Sequence, residues 1–286
     1  MEEKGIKSET WDLIIQPNKR WFNLHLHELW QYSDLISLFV KRDFVTFYKQ
    51  TILGPIWYLL QPLMTTSVFT VIFSKVAHIS TDGIPPFVFY LSGTICWSYF
   101  ANCLKETSTT FIKNTTIFGK VYFPRLTIPI SIVIINLVKF SMQLLLFLSV
   151  YIYFIMKGSV VRPTVIILLL PLFIFQMALL GLGTGIIVSS LTTKYRDLSF
   201  VMQFGVQLWM YASPVVYPAS IVSEKYRWLY MLNPMASVLE IFRYAFLGNG
   251  TIDITYIAIS WSITGFLLFG GIVLFNKIEK TFMDTV

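Results

Sequence analysis

Long stretches almost free of charge constrain this chain more than any other feature of its sequence. The first runs from Ile56 to Ser74 without a charged residue, and a helix needs about 20 apolar residues to cross the hydrocarbon core of a bilayer. Charged residues make up only 13% of the chain, about half the fraction typical of soluble domains. We therefore predict an all-α membrane protein with six transmembrane helices. They lie near residues 56–74, 86–104, 128–156, 163–191, 198–217 and 254–275.

The basic residues favour one orientation of these spans. Six crossings place both termini on one side of the membrane, and cytoplasmic loops are enriched in Lys and Arg. With both termini inside, 15 of the 22 basic residues are cytoplasmic, six are outside and Lys139 lies within a span. The N-terminal segment is polar and has no apolar core resembling a signal sequence. We therefore expect both termini in the cytoplasm.

A basic and aromatic segment precedes the first span and ends at the corner Gly54-Pro55. At 100° per residue its main apolar side chains share one stripe and its cations point away, although Leu35 and Phe39 interrupt the polar side. A helix packed on a soluble core would show the same pattern. The apolar run that follows immediately favours an interfacial amphipathic helix in the headgroup layer. The stripe is Ile36, Val40, Phe44 and Phe47, and the residues pointing away are Arg42, Thr46, Lys49 and Gln50.

These features divide the chain in two. Residues 1–55 are the predicted cytoplasmic N-terminal segment with its interfacial helix, and residues 56–286 are the transmembrane domain. Between the fifth and sixth spans, residues 218–250 hold two part-apolar pieces separated by Asn233-Pro234. Neither piece is long enough to cross, and irregular backbone at membrane depth must be shielded by protein or line a cavity. We predict a re-entrant helical hairpin there, at the mouth of a pore on the outer face.

The predicted cytoplasmic loop 106–127 mixes polar residues with Phe111, Ile112, Ile117 and Phe118. A loop that only connects two spans can be shorter, and apolar residues at a loop tip suggest a docking surface for another protein. A short helix folded against the membrane fits the pattern equally well. In the fourth span, Gly181, Gly183 and Gly185 allow another helix backbone to approach closely. That helix belongs either to the same subunit or to a second copy.

The sequence shows no catalytic centre of its own. It has no phosphate-binding P-loop, and its three histidines lack the spacing of a metal site. We expect no cofactor and no metal, so uphill transport would take its energy from a partner. Lys139 is the clear ionisable group within a span, and such a group is costly unless it faces protein, water or an anion. It either contacts an anionic substrate in a pore, or it snorkels or pairs with a neighbouring subunit.

Aromatic residues make up 17% of the chain, and most are expected to face lipid or to anchor the spans at the interface. Four of them, Tyr58, Trp97, Tyr99 and Phe100, lie where the first two spans would meet other helices. Aromatic rings stack on the apolar faces of sugars. With Lys139, these four residues are the predicted lining of a channel.

A series of motifs extends in order over nearly the whole chain. They are Lys41-Arg42-Asp43-Phe44, Tyr48-Lys49-Gln50-Thr51, Leu53-Gly54-Pro55-Ile56-Trp57, Gln61-Pro62-Leu63, Phe69 to Phe73, Gly93, Trp97, Lys120-Val121-Tyr122-Phe123-Pro124-Arg125, Arg196-Asp197, Ser213-Pro214 and Asn233-Pro234. With these motifs the chain resembles the membrane subunit of type-2 ABC polysaccharide exporters, which carry lipid-linked O-antigen, capsule and teichoic acid. It departs from that pattern near Trp30, where Tyr32-Ser33-Asp34 stands in place of an aromatic residue, Arg and Asp, and its N-terminal extension before Trp21 is longer.

The resemblance implies a homodimer in the bacterial inner membrane, driven by two copies of a separate cytoplasmic ATPase that binds the ATP. The implied substrate is an undecaprenyl-diphosphate-linked polysaccharide, and nucleic acid is not an expected partner. Lys41, Arg42 and Lys49 would lie at the entrance for the diphosphate headgroup, and residues 219–246 would form hairpins at the exit. The implied coupling helix consists of Asn114, Thr115, Thr116, Ile117, Phe118, Gly119 and Lys120.

Two other functions fit less well. One is a type-2 ABC permease that exports teichoic acid, a drug or a lipid. The other is a membrane enzyme acting on lipid carriers, which would need clustered acids or histidines as general acid and base. Asp82, Glu106, Asp197 and Glu240 form no such cluster in the sequence.

Overall fold

A computed structural model describes residues 26–49, 53–195, 197–250 and 252–285. Every regular element in these ranges is helical, which confirms the predicted all-α class. Most of the predicted N-terminal segment and the residues Gln50, Thr51 and Arg196 lie outside the described part, as does the side chain of Phe47. The helices are α1 (Leu26–Gln31), α2 (Ser33–Lys49), α3 (Trp57–Phe69), α4 (Pro86–Thr107), α5 (Thr110–Lys113), α6 (Thr115–Phe118), α7 (Thr127–Met156), α8 (Leu170–Thr192), α9 (Leu198–Tyr211), α10 (Glu224–Met231), α11 (Pro234–Leu247) and α12 (Ile254–Thr285).

Five helical segments in the described part are long and apolar enough to cross a membrane. They coincide with five of the six predicted spans. Helix α3 is extended by a 3₁₀ turn at Gly54–Ile56 and a π-helical stretch at Thr70–Val76, and α8 is preceded by a 3₁₀ turn at Val165–Leu169. The five segments are Gly54–Val76, Pro86–Thr107, Thr127–Met156, Val165–Thr192 and Ile254–Ile278.

The predicted span at 198–217 forms a shorter helix than expected. Helix α9 has 14 residues, about 21 Å at 1.5 Å per residue. The chain leaves the helix before Pro214, because proline lacks a backbone N–H and disfavours the helical conformation of the residue before it. The six-span count therefore stays a prediction that helix length alone does not support.

Side-chain contacts fix the relative directions of the long helices. Gln176 of α8 donates a hydrogen bond to Ser260 of α12 at 2.7 Å, and further along the same two helices Gly183 lies against Leu268. Helix α8 also follows α4 in the same direction, from Gly181 beside Cys103 to Gly185 beside Thr107. Helices α4, α8 and α12 are therefore parallel to one another.

Helix α9 runs the opposite way along α4. Its Trp209 ring packs on Phe100 with ring centroids 5.1 Å apart and on Trp97 at 6.1 Å. Beyond the end of α9, the carbonyl of Val215 lies beside Gly93, a full turn nearer the start of α4. The segment from α9 to Val215 is therefore antiparallel to α4.

The run of small residues in α8 packs within the subunit. A Cβ atom on Gly181 would lie 2.6 Å from Cys103 Cβ, and one on Gly185 would lie 2.6 Å from Thr107 Cβ, both on α4. A Cβ atom on Gly183 would lie 2.8 Å from the backbone of Leu268 on α12. Of the two alternatives that the sequence leaves open, close packing inside one chain is the one observed.

Residues 218–250 fold as two helices around a tight tip. At the tip, Asn233 donates to Ser213 Oγ at 2.7 Å, and Ser260 Oγ donates to the carbonyl of Pro234 at 2.9 Å. At the other end, Ser220 Oγ donates to the Asp82 carboxylate at 2.8 Å and Asn249 donates to the Asp82 carbonyl at 2.6 Å. The predicted division at Asn233-Pro234 is observed, and the position of this hairpin in a membrane stays a prediction.

Helix α2 packs on a different face from the one that the sequence indicated. Phe39 is buried, and its ring lies 5.9 Å from that of Phe123. Leu35, Val40 and Phe44 are all half-buried, and of these three Leu35 packs against the same cluster. Leu35 and Phe39 pack on the apolar surface of loop 106–127. That surface is remote in sequence, so the helical period alone placed these two residues on the polar side.

We predict that Gly271→Ala destabilises the subunit. The added methyl group would lie 2.7 Å from the carbonyl oxygen of Gly183 and 2.8 Å from Ile186 Cγ1, and overpacking of this kind costs about 1–3 kcal/mol. Thermal unfolding of the purified protein in detergent should show a lower Tm. Gly270→Ala is the matched control, because no atom lies within 4 Å of the Cβ position there. Equal Tm values for the two variants would contradict close contact between α8 and α12.

Candidate functional site

The loop between α4 and α7 is folded, and a cluster of aromatic rings packs beneath it. Phe111 stacks on Phe275 of α12 with ring centroids 4.5 Å apart, and it also contacts Phe118 at 5.9 Å. Phe118 contacts Phe123 at 5.8 Å, and Phe123 contacts Phe39 of α2. We call these five rings the inner aromatic cluster. It joins α2, the loop and α12.

The exposed side of this loop is apolar and basic. The residues of the implied coupling helix divide between the two sides. Phe118 is buried in the inner aromatic cluster, and Asn114 and Thr115 bond the backbone carbonyls of Thr110 and Phe111. Ile117 is half-buried, whereas Thr116, Gly119 and Lys120 are exposed. The exposed surface also includes residues of loop 106–127 outside the implied coupling helix: Ile112, Lys113, Val121 and Tyr122.

The predicted entrance cations lie on α2. Lys41, Arg42 and Lys49 are all exposed. Arg42 and Lys49 are seven residues apart, which places them on one face about 10 Å apart along the axis. Arg42 Nε donates to the Asp43 carboxylate at 2.8 Å, and the guanidinium lies 4.8 Å from the centre of the Phe39 ring. Its charge is therefore partly compensated, whereas the face as a whole remains basic.

Three of the predicted channel-lining rings lie in the core of the subunit. Trp97, Tyr99 and Phe100 are buried. The Tyr99 ring lies 5.1 Å from that of Phe140 on α7, and Trp97 and Phe100 pack on Trp209. The sequence placed these rings correctly at helix contacts, but the neighbouring helices fill their faces. In this conformation their position does not support a role in lining a channel.

Lys139 has a partner within its own chain. Its Nζ lies 3.1 Å from Glu106 Oε1, and Asn136 donates to the other carboxylate oxygen at 2.8 Å. The ammonium group also lies 5.7 Å from the centre of the half-buried Tyr58 ring. The substrate contact proposed from the sequence stays a prediction, and so does the pairing with a neighbouring subunit. The partner lies 33 positions away in the same chain, where the sequence gave no sign of it.

A buried arginine holds the hairpin to the rest of the chain. Arg243 of α11 donates to the carbonyl of Val215 at 2.8 Å, and its guanidinium lies 3.7 Å from the centre of the Phe89 ring. Glu240, one turn earlier, accepts from the Ala219 N–H at 3.4 Å. By sequence, Arg243 is one of the six basic residues expected outside. The opposite charge of Glu240 three positions earlier on the same apolar helix is the available sign that both side chains face protein.

An open groove of about 450 Å³ lies between α9 and α10. Its lining is mostly aromatic and aliphatic, with the Asn233 side chain at the tip of the hairpin. The indole N–H of Trp209 donates to Asn233 at 3.1 Å, which fixes the orientation of that ring. Rings with polar edges can stack on sugars while bonding their hydroxyls. The lining residues are Trp209, Ala212, Val222, Tyr226, Leu229, Tyr230 and Asn233.

Two further helix faces are apolar and exposed. On α9 the exposed residues recur at helical spacing, and α3 exposes apolar side chains over several turns. A membrane protein can cover such faces with lipid or with a second subunit. They are Val201, Phe204, Leu208 and Tyr211 on α9, and Trp57, Met64 and Val68 on α3.

The chain is similar to known transport proteins over most of its length. Residues 34–247 match the family model described as ABC-2 type transporter. The chain is 30% identical over 254 residues to an O-antigen export system permease protein RfbA of Klebsiella pneumoniae, which covers 88% of this chain and 94% of that protein. A protein of the same name from Myxococcus xanthus is 25% identical over 263 residues, which covers 91% and 98% of the two chains.

We predict that Arg243→Ala loosens the hairpin. The change leaves the Val215 carbonyl without its donor, and a buried polar group left without a partner costs about 1–3 kcal/mol. The Tm should fall, and limited proteolysis between residues 213 and 233 should become faster. Lys225→Ala removes an exposed cation from α10 and should leave both measurements unchanged. A native Tm and native proteolysis in Arg243→Ala would show that this arginine does not hold the hairpin.

Proposed function

Since the chain belongs to the family of ABC-2 type transporters, we propose that it is the membrane subunit of an ATP-driven exporter. Its substrate is a polysaccharide of the O-antigen class linked to undecaprenyl diphosphate, which it moves across the bacterial inner membrane. The observation that carries this proposal is the near full-length similarity to O-antigen export permeases. The basic face of α2 and the aromatic groove fit such a substrate, which has an anionic head and a sugar chain.

The directions of the helices support six crossings with both termini in the cytoplasm. Helices α4, α8 and α12 run one way, and the segment from α9 to Val215 runs the other way along α4. Helix α9 is too short to cross the whole membrane, and the hairpin of α10 and α11 fills the remaining thickness. The tip of the hairpin lies at Trp209 and its two ends lie at Asp82. In this arrangement loop 106–127 is cytoplasmic and the hairpin is re-entrant from the outer face.

Two copies of the subunit form the path for the glycan. The exposed faces of α3 and α9 are apolar, and α9 also lines the aromatic groove. Pairing these faces around a twofold axis removes them from lipid and turns the groove toward the path. Rings that stack on sugars without reading individual hydroxyls suit a chain that must slide.

A separate ATPase supplies the energy, because the sequence contains no P-loop of its own. Its docking surface is the exposed side of loop 106–127, which includes Ile112, Lys113 and Tyr122. The inner aromatic cluster beneath this surface connects it to α2 and α12. Lys41, Arg42 and Lys49 on α2 meet the diphosphate headgroup at the cytoplasmic side, where basic residues favour anionic groups.

We predict that deletion of the gene abolishes surface polysaccharide and leaves lipid-linked glycan inside the cell. Immunoblots of whole cells and extraction of the lipid-linked pool measure the two quantities. Re-expression of the permease should restore the surface glycan only in cells that also carry the ATPase partner. Intact surface glycan together with new sensitivity to drugs would contradict the proposal and favour a permease for small molecules or lipids.

We predict that Val121→Asp weakens binding of the ATPase at least tenfold. Val121 is 59% exposed at the centre of the proposed docking surface, and an unpaired charge buried in an interface costs more than the roughly 1.4 kcal/mol that corresponds to a tenfold change. Co-purification and titration of the two proteins measure the affinity. Val160→Asp is the matched control, because Val160 is 80% exposed in the loop after α7, at the other end of the molecule. Equal affinities for both variants would place the docking surface elsewhere.

A further inference from the structure

The ion pair between Glu106 and Lys139 joins three elements that meet near the proposed cytoplasmic side. Glu106 lies in the last turn of α4, where loop 106–127 begins, and Lys139 lies on α7. Both oxygens of the Glu106 carboxylate are bonded, one to Lys139 at 3.1 Å and the other to Asn136 at 2.8 Å. Contacts to two side chains one turn apart fix both the depth and the rotation of α7 against α4.

The third element is the start of the first span. The ring of Tyr58 faces the Lys139 ammonium group, and its backbone carbonyl accepts a hydrogen bond from Gln143 of α7 at 3.3 Å. Tyr58 is four residues after Gly54, the corner that links the segment following α2 to α3. One polar stripe of α7 therefore contacts Glu106 at the base of the loop and Tyr58, one turn after the corner. The stripe consists of Asn136, Lys139 and Gln143.

Apolar side chains alone would hold α7 against α4, so the ion pair between Glu106 and Lys139 is not needed for the two helices to associate. Asn136 is buried, the Lys139 side chain is 17% exposed and that of Glu106 is 38% exposed. Helix α7 is apolar enough to cross a membrane, and its Phe140 already packs on Tyr99 of α4. A partly exposed ion pair adds little to stability. Apolar contact has no direction, so the pair adds a defined register that packing does not supply.

The base of the loop is also connected to α8. Thr192 Oγ1 donates to the carbonyl of Ser108 at 3.0 Å, and the N–H of Phe111 donates to Ser189 Oγ at 3.4 Å. A displacement of the loop therefore cannot be absorbed by the residues directly after Glu106 without breaking these bonds. It reaches α7 and the start of α3 through Glu106.

We propose that Glu106 and Lys139 are positioning residues that transmit movement of the ATPase-docking loop to the Gly54-Pro55 corner and so to the headgroup entrance on α2. The proposal rests on the function proposed above and adds the route by which ATP hydrolysis reaches the substrate. Without the charge pair, α7 and α3 slide on α4 when the loop moves. The ATPase then still turns over, but its cycle moves less glycan.

The test uses the complete permease–ATPase complex in proteoliposomes with undecaprenyl-diphosphate-linked glycan. Phosphate release and glycan transfer are measured on the same sample, together with the Tm of the complex. Glu106→Gln and Lys139→Met should each lower the glycan moved per ATP about tenfold, while ATP hydrolysis stays within about twofold of wild type. Lys157→Met removes an exposed lysine just after α7 and should leave the ratio unchanged.

The reversed pair Glu106→Lys with Lys139→Glu separates positioning from general stability. We expect it to recover most of the glycan moved per ATP, because the attraction is restored and Asn136 can turn its amide oxygen toward the new lysine. Single variants with an unchanged ratio overturn the inference. So does a parallel loss of Tm, hydrolysis and transfer, or a reversed pair that folds natively yet stays uncoupled. If the wild-type complex moves no glycan, the proposed function fails instead.

Discussion

Close contact between helix backbones along α8 holds this subunit together. Helix α4 packs against Gly181 and Gly185, and α12 packs against Gly183. At each contact the neighbouring helix is so close that a Cβ atom on the glycine would clash with it. Inside a bilayer, apolar side chains gain little from leaving lipid for protein, so helices associate through dispersion contacts and hydrogen bonds that need short distances. The glycines supply those distances. Three parallel helices result, and the other elements of the subunit attach to them.

Polar contacts then decide how each attached element is placed. The bond from Gln176 to Ser260 and the bond from Ser260 to Pro234 join α8, α12 and the hairpin in one chain of hydrogen bonds. Arg243 binds the hairpin to the segment after α9, and Glu106 binds α7 to α4. Each of these groups would be costly if unpaired in an apolar environment. Their pairing makes one arrangement of the helices more favourable than its slipped alternatives.

The two ends of the molecule carry different chemistry on this frame. At one end, the inner aromatic cluster supports a loop with an apolar and basic surface. At the other, the hairpin is held at its two ends by Asp82 and at its tip by Ser213 and Trp209. The groove lies beside that tip. An exporter needs this polarity, since the energy is supplied on one side and the product leaves on the other.

The sequence by itself determined the helical class, five of the spans and the two-helix stretch around Asn233-Pro234, because runs of apolar residues and prolines act locally on the backbone. It also identified the family through motifs that lie along the chain. Only the tertiary structure decided which groups meet. In the structure Lys139 pairs with Glu106 and Arg243 donates to the Val215 carbonyl. The side chains of Phe39, Trp97, Tyr99 and Phe100 are buried. These outcomes depend on contacts between residues distant in sequence, and a helical period says which side a residue faces but not what covers that side.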